Sequence, residues 1–333
     1  MNTDPIPPSS PSAPTAPLRK RVLLIQYSQT GQLTAVAEQI AAPLRADPAI
    51  ALHVETLKPL PAYPFPWPFF RFLDAFPESA LMQPPALAAL TLTGDEHFDL
   101  VILPYQVWYL APSLPITAFL RHPVGQRLLR GKPVVTVIAC RNMWMLAQEK
   151  MKTLLAEAGA RLIDNVVLID PGPTLATFFT TPRWLWTGKQ AGFWGMPAAG
   201  LNEVQIKGAR RFGLALRDAL HRGAEQGSEP LLGGLAAVTA NPRLYVSEKA
   251  GTRSFFVWGK LLRAAGAPGS PQRVPLLALY VVFLILMIAT VVPTSLLLQA
   301  LLRPVLGGWL GRIKHQFEKP SGSATDRLPL YED

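Results

Sequence analysis

Arg21-Val-Leu-Leu-Ile-Gln26, followed at once by Tyr27-Ser-Gln-Thr-Gly31, is the stretch whose reading decides the fold. Its first six residues are almost continuously apolar, the pattern of a parallel strand buried on both faces. The next five make a tight polar turn. Beyond them Leu33, Val36, Ala37, Ile40, Ala41 and Leu44 recur at helical spacing. Strand, turn and amphipathic helix are the opening of a βαβ unit.

The same alternation continues. Strands are expected at Ala51–Leu57, Phe98–Leu103, Pro133–Ala139 and Leu162–Ile169, with helices that include Pro115–Arg121 and Met143–Ala158. Five strands interleaved with helices imply a doubly wound parallel α/β sheet of flavodoxin-like order, 2-1-3-4-5. Two insertions break the rhythm. Residues 61–85 hold Tyr63-Pro-Phe-Pro-Trp-Pro-Phe-Phe70, too rich in Pro for a core strand or a long helix, and read as a cap packed by its own rings. Residues 171–200 again mix Trp184, Trp186, Phe193 and Trp194 with Gly and Pro. A helix over 202–222 closes the domain, which spans 19–223.

Outside it, Met1–Leu18 is rich in Pro, Ser and Thr and has no apolar run, so it reads as a disordered lead and not as a signal peptide. Residues 224–273 look like a basic linker. Val274–Leu302 contains no charged side chain and exceeds the ~20 apolar residues that cross a bilayer, so 274–310 is expected as a transmembrane or re-entrant segment. Pro293 lies within it, and Lys and Arg flank both ends. Residues 311–333 are left as a tail. The chain carries a net charge of +10. That suits anionic lipid headgroups or an acyl carrier protein, and the absence of any nucleic-acid-binding signature excludes nucleic acid as partner. The expected location is the cytoplasmic face of the inner (plasma) membrane.

The turn after the first strand is suited to phosphate. Hydroxyls of Ser28 and Thr30, backbone N–H groups around Gln29, Gly31 and Gln32, and the head of the helix at Leu33 supply donors without bulk. No Lys or Arg interrupts the loop, which favours FMN over a nucleoside triphosphate. An ordinary capped turn is the plain alternative, but ligands of open α/β sheets bind beyond the carboxyl ends of strands, where this loop lies. The next two strand ends carry Pro104-Tyr-Gln-Val-Trp-Tyr109 and Cys140-Arg-Asn-Met-Trp144. Tyr105, Trp108 and Tyr109 offer flat partners for an isoalloxazine ring, and Pro104 and Gln106 of the same run are further candidate cofactor contacts. Arg141 and Asn142 offer donors to its oxygen edge, and Trp144 a seal. Cys140 reads as a small buried hydrophobe and not as a nucleophile. The single cysteine and the scattered histidines (His53, His97, His122, His221 and His315) form no metal-ligand spacing.

Ser28-Gln-Thr-Gly31 is similar to the flavodoxin phosphate-loop signature, with Gln32 and Leu33 where that signature has Asn and Thr. The runs Pro64-Phe-Pro-Trp67, Phe76-Pro-Glu-Ser79, Tyr105-Gln-Val-Trp-Tyr-Leu-Ala-Pro-Ser113, Arg141-Asn-Met-Trp144 and Ala147-Gln-Glu-Lys150 resemble bacterial proteins labelled dialkylresorcinol-condensing enzyme. The resemblance covers about 22–213. It implies a flavodoxin-like partner of a ketosynthase in making dialkylresorcinol or aryl-polyene-type lipids, with an acyl carrier protein nearby and a lipophilic small-molecule substrate. No activated Cys–His or Ser–His pair for condensation can be assembled, so oxidation and aromatisation of a cyclohexanedione is the expected chemistry. Tyr105, Tyr109 and Arg141 are the expected catalytic groups. An NAD(P)H-dependent quinone or FMN reductase, a one-electron carrier and a flavin-free membrane scaffold are the competing readings.

Overall fold

Val22, Leu23, Leu24 and Ile25 have no exposed surface, as a run apolar on both faces requires of a central strand. In the computed structural model, which describes residues 19–331, they lie in β1 (Lys20–Gln26). The lead Met1–Leu18 is outside the described residues. Alongside β1 run β2 (Ile50–Thr56), β3 (Leu100–Trp108), β4 (Pro133–Cys140) and β5 (Arg161–Ile169). All pair in parallel in the order 2-1-3-4-5. The registers run Lys20↔Ile50 to Gln26↔Thr56, Val22↔Leu100, Val101↔Val134 and Pro133↔Arg161, with one shift at Val134/Val135. This is the flavodoxin-like sheet that the alternating pattern predicts.

The main helices are α1 (Gln32–Arg45), α2 (Leu114–Arg121), α3 (Met145–Glu157), α4 (Thr174–Thr187), α5 (Arg210–His221), α6 (Tyr245–Ala265), α7 (Arg273–Leu301) and α8 (Arg303–Glu318). α1 and α5 pack together closely. At their crossing, a Cβ on Gly213 would strike the Ile40 carbonyl oxygen and the Pro43 ring. Gly213→Ala is therefore expected to cost ~1–3 kcal/mol by overpacking, read as a lower midpoint in urea unfolding with an unchanged slope.

Several expectations change in three dimensions. β3 does not stop at Leu103. Its ladder with β4 continues to Gln106↔Ala139, and Trp108 then turns back to pair with Ala111. The expected closing helix is broken at Ala209 into Glu203–Gly208 and α5. The second insertion contains α4, with Pro182 inside it. The first forms short helices Phe69–Asp74 and Phe76–Ala80 above a two-residue antiparallel neck, Pro59–Leu60 with Ala86–Leu87.

The stretch expected as a basic linker is part of the body. Leu231, Leu232, Leu235, Ala237 and Val238 are buried in the main core, and the Val167 N–H donates to the Ala237 carbonyl at 2.8 Å. This segment covers the outer edge of β5, which would otherwise present unpaired backbone groups. The expected tail returns as well. Ile313 and Phe317 of α8 join the same core, and Ser321 donates to the buried Asp164 at 2.7 Å. α7 is long and apolar enough to cross a membrane. Pro293 lies inside it as one uninterrupted helix, so the chain makes no re-entrant turn there.

A cavity at the strand ends, walled by the apolar helix

The loop after β1 is fixed by its own side chains. Gly31 has φ +82° and forms the N-cap of α1, a left-handed conformation that glycine adopts without strain. Gln29 accepts from the Tyr27 hydroxyl at 2.5 Å and donates to the Pro64 carbonyl at 2.6 Å, which ties the loop to the cap. Gln32 makes two bonds to the Leu201 backbone, donating to its carbonyl at 3.0 Å and accepting from its N–H at 2.8 Å. Both amide side chains are thus occupied. Free donors at this end come from the first N–H groups of α1, which any helix start leaves unpaired, and from the hydroxyls. Thr30 Oγ1 lies 3.5 Å from the Gln32 N–H, and the buried Ser28 Oγ has no hydrogen-bond partner.

Beyond the ends of β1, β3 and β4 lies a cavity of about 420 Å³. Gln29, Thr30, Gln32 and Leu33 line it from the first loop, Gln106 to Leu110 from the second, and Ala139 to Met143 from the third. The second loop is a two-residue hairpin in which Tyr109 (φ 48°) and Leu110 (φ 57°) are both left-handed. Met143 (φ 54°) on the third loop shares that conformation. Non-glycine residues held this way cost energy and persist where the surroundings enforce them, often at functional sites. Here the enforcement is aromatic. Trp108 is met edge-on by Tyr27, Tyr63 and Trp67 at 6.1, 5.1 and 5.7 Å between ring centres. Tyr109 donates to the Phe72 carbonyl at 2.7 Å.

Two of the aromatic groups expected at the site, Tyr105 and Trp144, serve other purposes. Tyr105 turns to the opposite face of β3, is fully buried, and donates to Gln148 at 2.6 Å. Gln148 in turn donates to Thr136 at 3.1 Å. Burial pushes the Tyr105 phenol well above its ordinary pKa. It belongs to a buried polar chain under α3 and does not reach the cavity. Trp144 is likewise core, edge-on to Phe317 at 6.5 Å. Tyr109 does line the cavity, but its hydroxyl proton is committed to Phe72, so it acts as a fixed wall and not as an acid. Pro104, Ser28 and Gly31 are also outside the lining.

Arg141 is the cationic group in the lining. Its guanidinium stacks over the Phe178 ring at 4.0 Å, and burial lowers its pKa. Burial also pushes the Cys140 thiol up, which keeps it protonated and a poor nucleophile. Gln106 Oε1 and Thr181 Oγ1 are buried on the cavity without a partner. A ligand with an edge of hydrogen-bonding groups and a flat apolar body fits this donor and ring set, with an anionic end toward Thr30 and the head of α1.

The insertion over 171–200, placed after a strand where it could wall a ligand crevice, contributes to the lining, as do α6 and α7, which had no site signal in the sequence. α4 supplies Thr177, Phe178, Thr181 and Trp184, and α6 supplies Ser247, Gly251 and Phe255. The apolar helix α7 supplies Leu284, Met287, Ile288 and Val291. One trace was present: Ser247 and Gly251, small residues four apart, mark a close approach, and a Cβ on Gly251 would press on Leu110 at 2.9 Å.

No protein-family model matches the chain, and no curated protein matches it. Among solved structures, a flavoprotein in complex with FMN from Lactobacillus acidophilus is 16% identical, covering 45% of this chain and 93% of its own, with a TM-score of 0.36. A putative flavoprotein from Bacteroides eggerthii is 18% identical, covering 45% and 87%, at 0.34. A flavodoxin from the domain Archaea is 12% identical, covering 60% and 99%, at 0.31. These likenesses are too distant to carry an argument; the fold assignment rests on the strand order itself.

Proposed function

We propose that this chain is a membrane-associated FMN protein that oxidises a lipophilic ring substrate, acting beside a ketosynthase in dialkylresorcinol or aryl-polyene-type lipid synthesis. The observation that carries the reading is the cavity: a phosphate-suited loop, an aromatic hairpin and Arg141 meet at three strand ends, and an apolar helix closes the side. Turning a cyclohexanedione into a resorcinol removes two electrons and two protons. Bound FMN would supply the hydride acceptor for that change, and the remaining proton would pass to a base. The chain's own residues do the positioning. Thr30 and the head of α1 hold the phosphate, and Trp108 and Tyr109 flank the flat ring. Arg141, held by Phe178, faces the oxygens of the substrate ring, and Gln106 offers an acceptor for a ring N–H or O–H. The hydrocarbon wall excludes water.

The test is the visible spectrum of the full-length protein in detergent, titrated with FMN. Residues 231–244 and 313–321 are built into the core, so the chain is used whole. Saturation at low micromolar FMN, weakened at least ~10-fold by Thr30→Val, is the expected result; that is the ~1.4 kcal/mol scale of one lost hydrogen bond. A folded protein that ignores FMN defeats the redox reading and leaves a flavin-free scaffold in its place. Rapid NAD(P)H oxidation with simple quinones would point instead to a general quinone reductase.

A further inference from the structure

Resting on the membrane association proposed above, we infer that α7 does not cross the bilayer: it lies in the plane of one leaflet of anionic lipid, and the cavity opens on the hydrocarbon between α7 and α4. Both ends of α7 are tied to one body. At its head Arg273 pairs with Asp74 at 3.2 Å and Glu78 at 2.8 Å, and Tyr280 stacks on Phe76 at 4.2 Å. Near its far end the Ser295 hydroxyl meets Ser247 at 2.8 Å, so α7 runs antiparallel to α6 along most of the length of α6. The chain then returns through α8 to the sheet, where Phe317 is core and Ser321 reaches Asp164. A crossing helix would leave its two ends separated by ~30 Å of hydrocarbon. Residues 313–331 could not then reach the sheet of the same body whose cap holds the start of α7.

The faces of α7 agree. Leu284, Met287, Ile288 and Val291 turn inward onto the cavity, while Val282, Ile285, Leu286 and Leu297 are 56–61% exposed on the other side. The neighbouring elements continue the apolar surface. Leu175 and Phe179 of α4 are 77% and 63% exposed, and Phe70 of the cap is 56% exposed. A soluble monomer rarely leaves so much hydrocarbon uncovered. Charge identifies the cover. Between Arg243 and Lys319 the chain has ten Lys and Arg and two acids, Glu248 and Glu318, both buried. Lys249, Arg253 and Lys260 on α6 are exposed. An apolar face beside a helix whose exposed charges are cationic is complementary to an anionic leaflet. The substrate would be a ring bearing a long alkyl tail, with the ring at Trp108 and Arg141 and the tail along the inner face of α7.

The test uses the full-length double variant Ser228→Cys/Ala324→Cys, whose sites are exposed and lie in the sequence on either side of α7. It is reconstituted into phosphatidylcholine–phosphatidylglycerol vesicles and treated with a membrane-impermeant PEG-maleimide. Wild type, with only Cys140 inside the cavity, sets the background. An in-plane helix keeps both sites on one side, so each molecule gains two adducts or none. One adduct on most molecules means α7 crosses and overturns the inference. Flotation of the same samples separates this from the underlying reading. Protein that stays with the vesicles while gaining single adducts refutes the orientation alone, and protein that does not float refutes membrane association. A stable detergent-free dimer that does not float would assign the face to a second copy and also overturn the inference.

Discussion

Arg273→Ala is expected to destabilise the protein by about 3–5 kcal/mol, the cost of stranding the partners of a buried ion pair. The guanidinium is nearly inaccessible, and besides Asp74 and Glu78 it donates to the Gly266 carbonyl at 2.7 Å. These bonds hold the loop before α7 and the cap helices in one place. Without them the head of α7, with Leu277 and Tyr280, loses its seat against Phe76 and Leu262. The cavity wall at Leu284 and Met287 follows. Thermal unfolding and limited proteolysis between Gly266 and Gln272 read the effect. Arg273→Met keeps the packing of the stem and is expected to recover part of the stability but none of the protection of that loop. Equal loss in both variants would mean that the ion pair matters and the packing does not; no loss in either would refute the latch.

Asp164→Ala should have an effect of similar size for a different reason. The Asp164 carboxylate is fully buried and accepts from the N–H groups of Leu231 and Leu232 at 2.7 and 3.1 Å and from Ser321 at 2.7 Å. Alanine leaves three buried donors unpaired, at ~1–3 kcal/mol each before relaxation. The measured loss is expected near ~3–4 kcal/mol, with the segment from Ser321 onward becoming protease-sensitive. The same carboxyl carries a pH signature. Burial pushes its pKa up to about 6, against the hydrogen bonds that lower it. A raised carboxyl pKa means that the folded state holds the proton more tightly than the unfolded chain. Its contribution is complete below the unfolded value near 4 and is lost as the pH rises through 6. The stability of wild type relative to Asp164→Asn is therefore expected to fall between pH 4 and 7. A rise over that range would show that the hydrogen bonds, and not burial, dominate.

These two residues show where sequence reading succeeds and where it stops. Val22–Ile25, Val101–Leu103 and Val134–Val137 are runs that cannot be solvated on either face, so the central strands and their parallel pairing follow from local pattern alone. The turn at Gly31 was legible for the same reason, since polar donors and a positive-φ glycine stand between such a strand and a helix. Period and composition are properties of adjacent residues, and these features depend on little else.

The remainder depended on which distant segments meet. Tyr105 and Gln106 are neighbours, yet strand alternation places one under α3 and the other on the cavity, and the sequence could not say which face the ligand would use. Leu231–Val238 has no clear period, because its partner is the edge of β5 and its hydrogen bonds are made to a strand about seventy residues earlier. α7 reads locally as a bilayer span, since length and hydropathy are all that a local reading measures. Arg273, Ser295 and the returning α8 decide its placement, through contacts between residues up to about two hundred positions apart. The sequence alone determined that this chain builds a flavodoxin-like sheet with a phosphate-suited loop. Only the tertiary structure decided that its most apolar helix is the wall of the cavity, because burial on one side of a helix is set by what packs there and not by the helix itself.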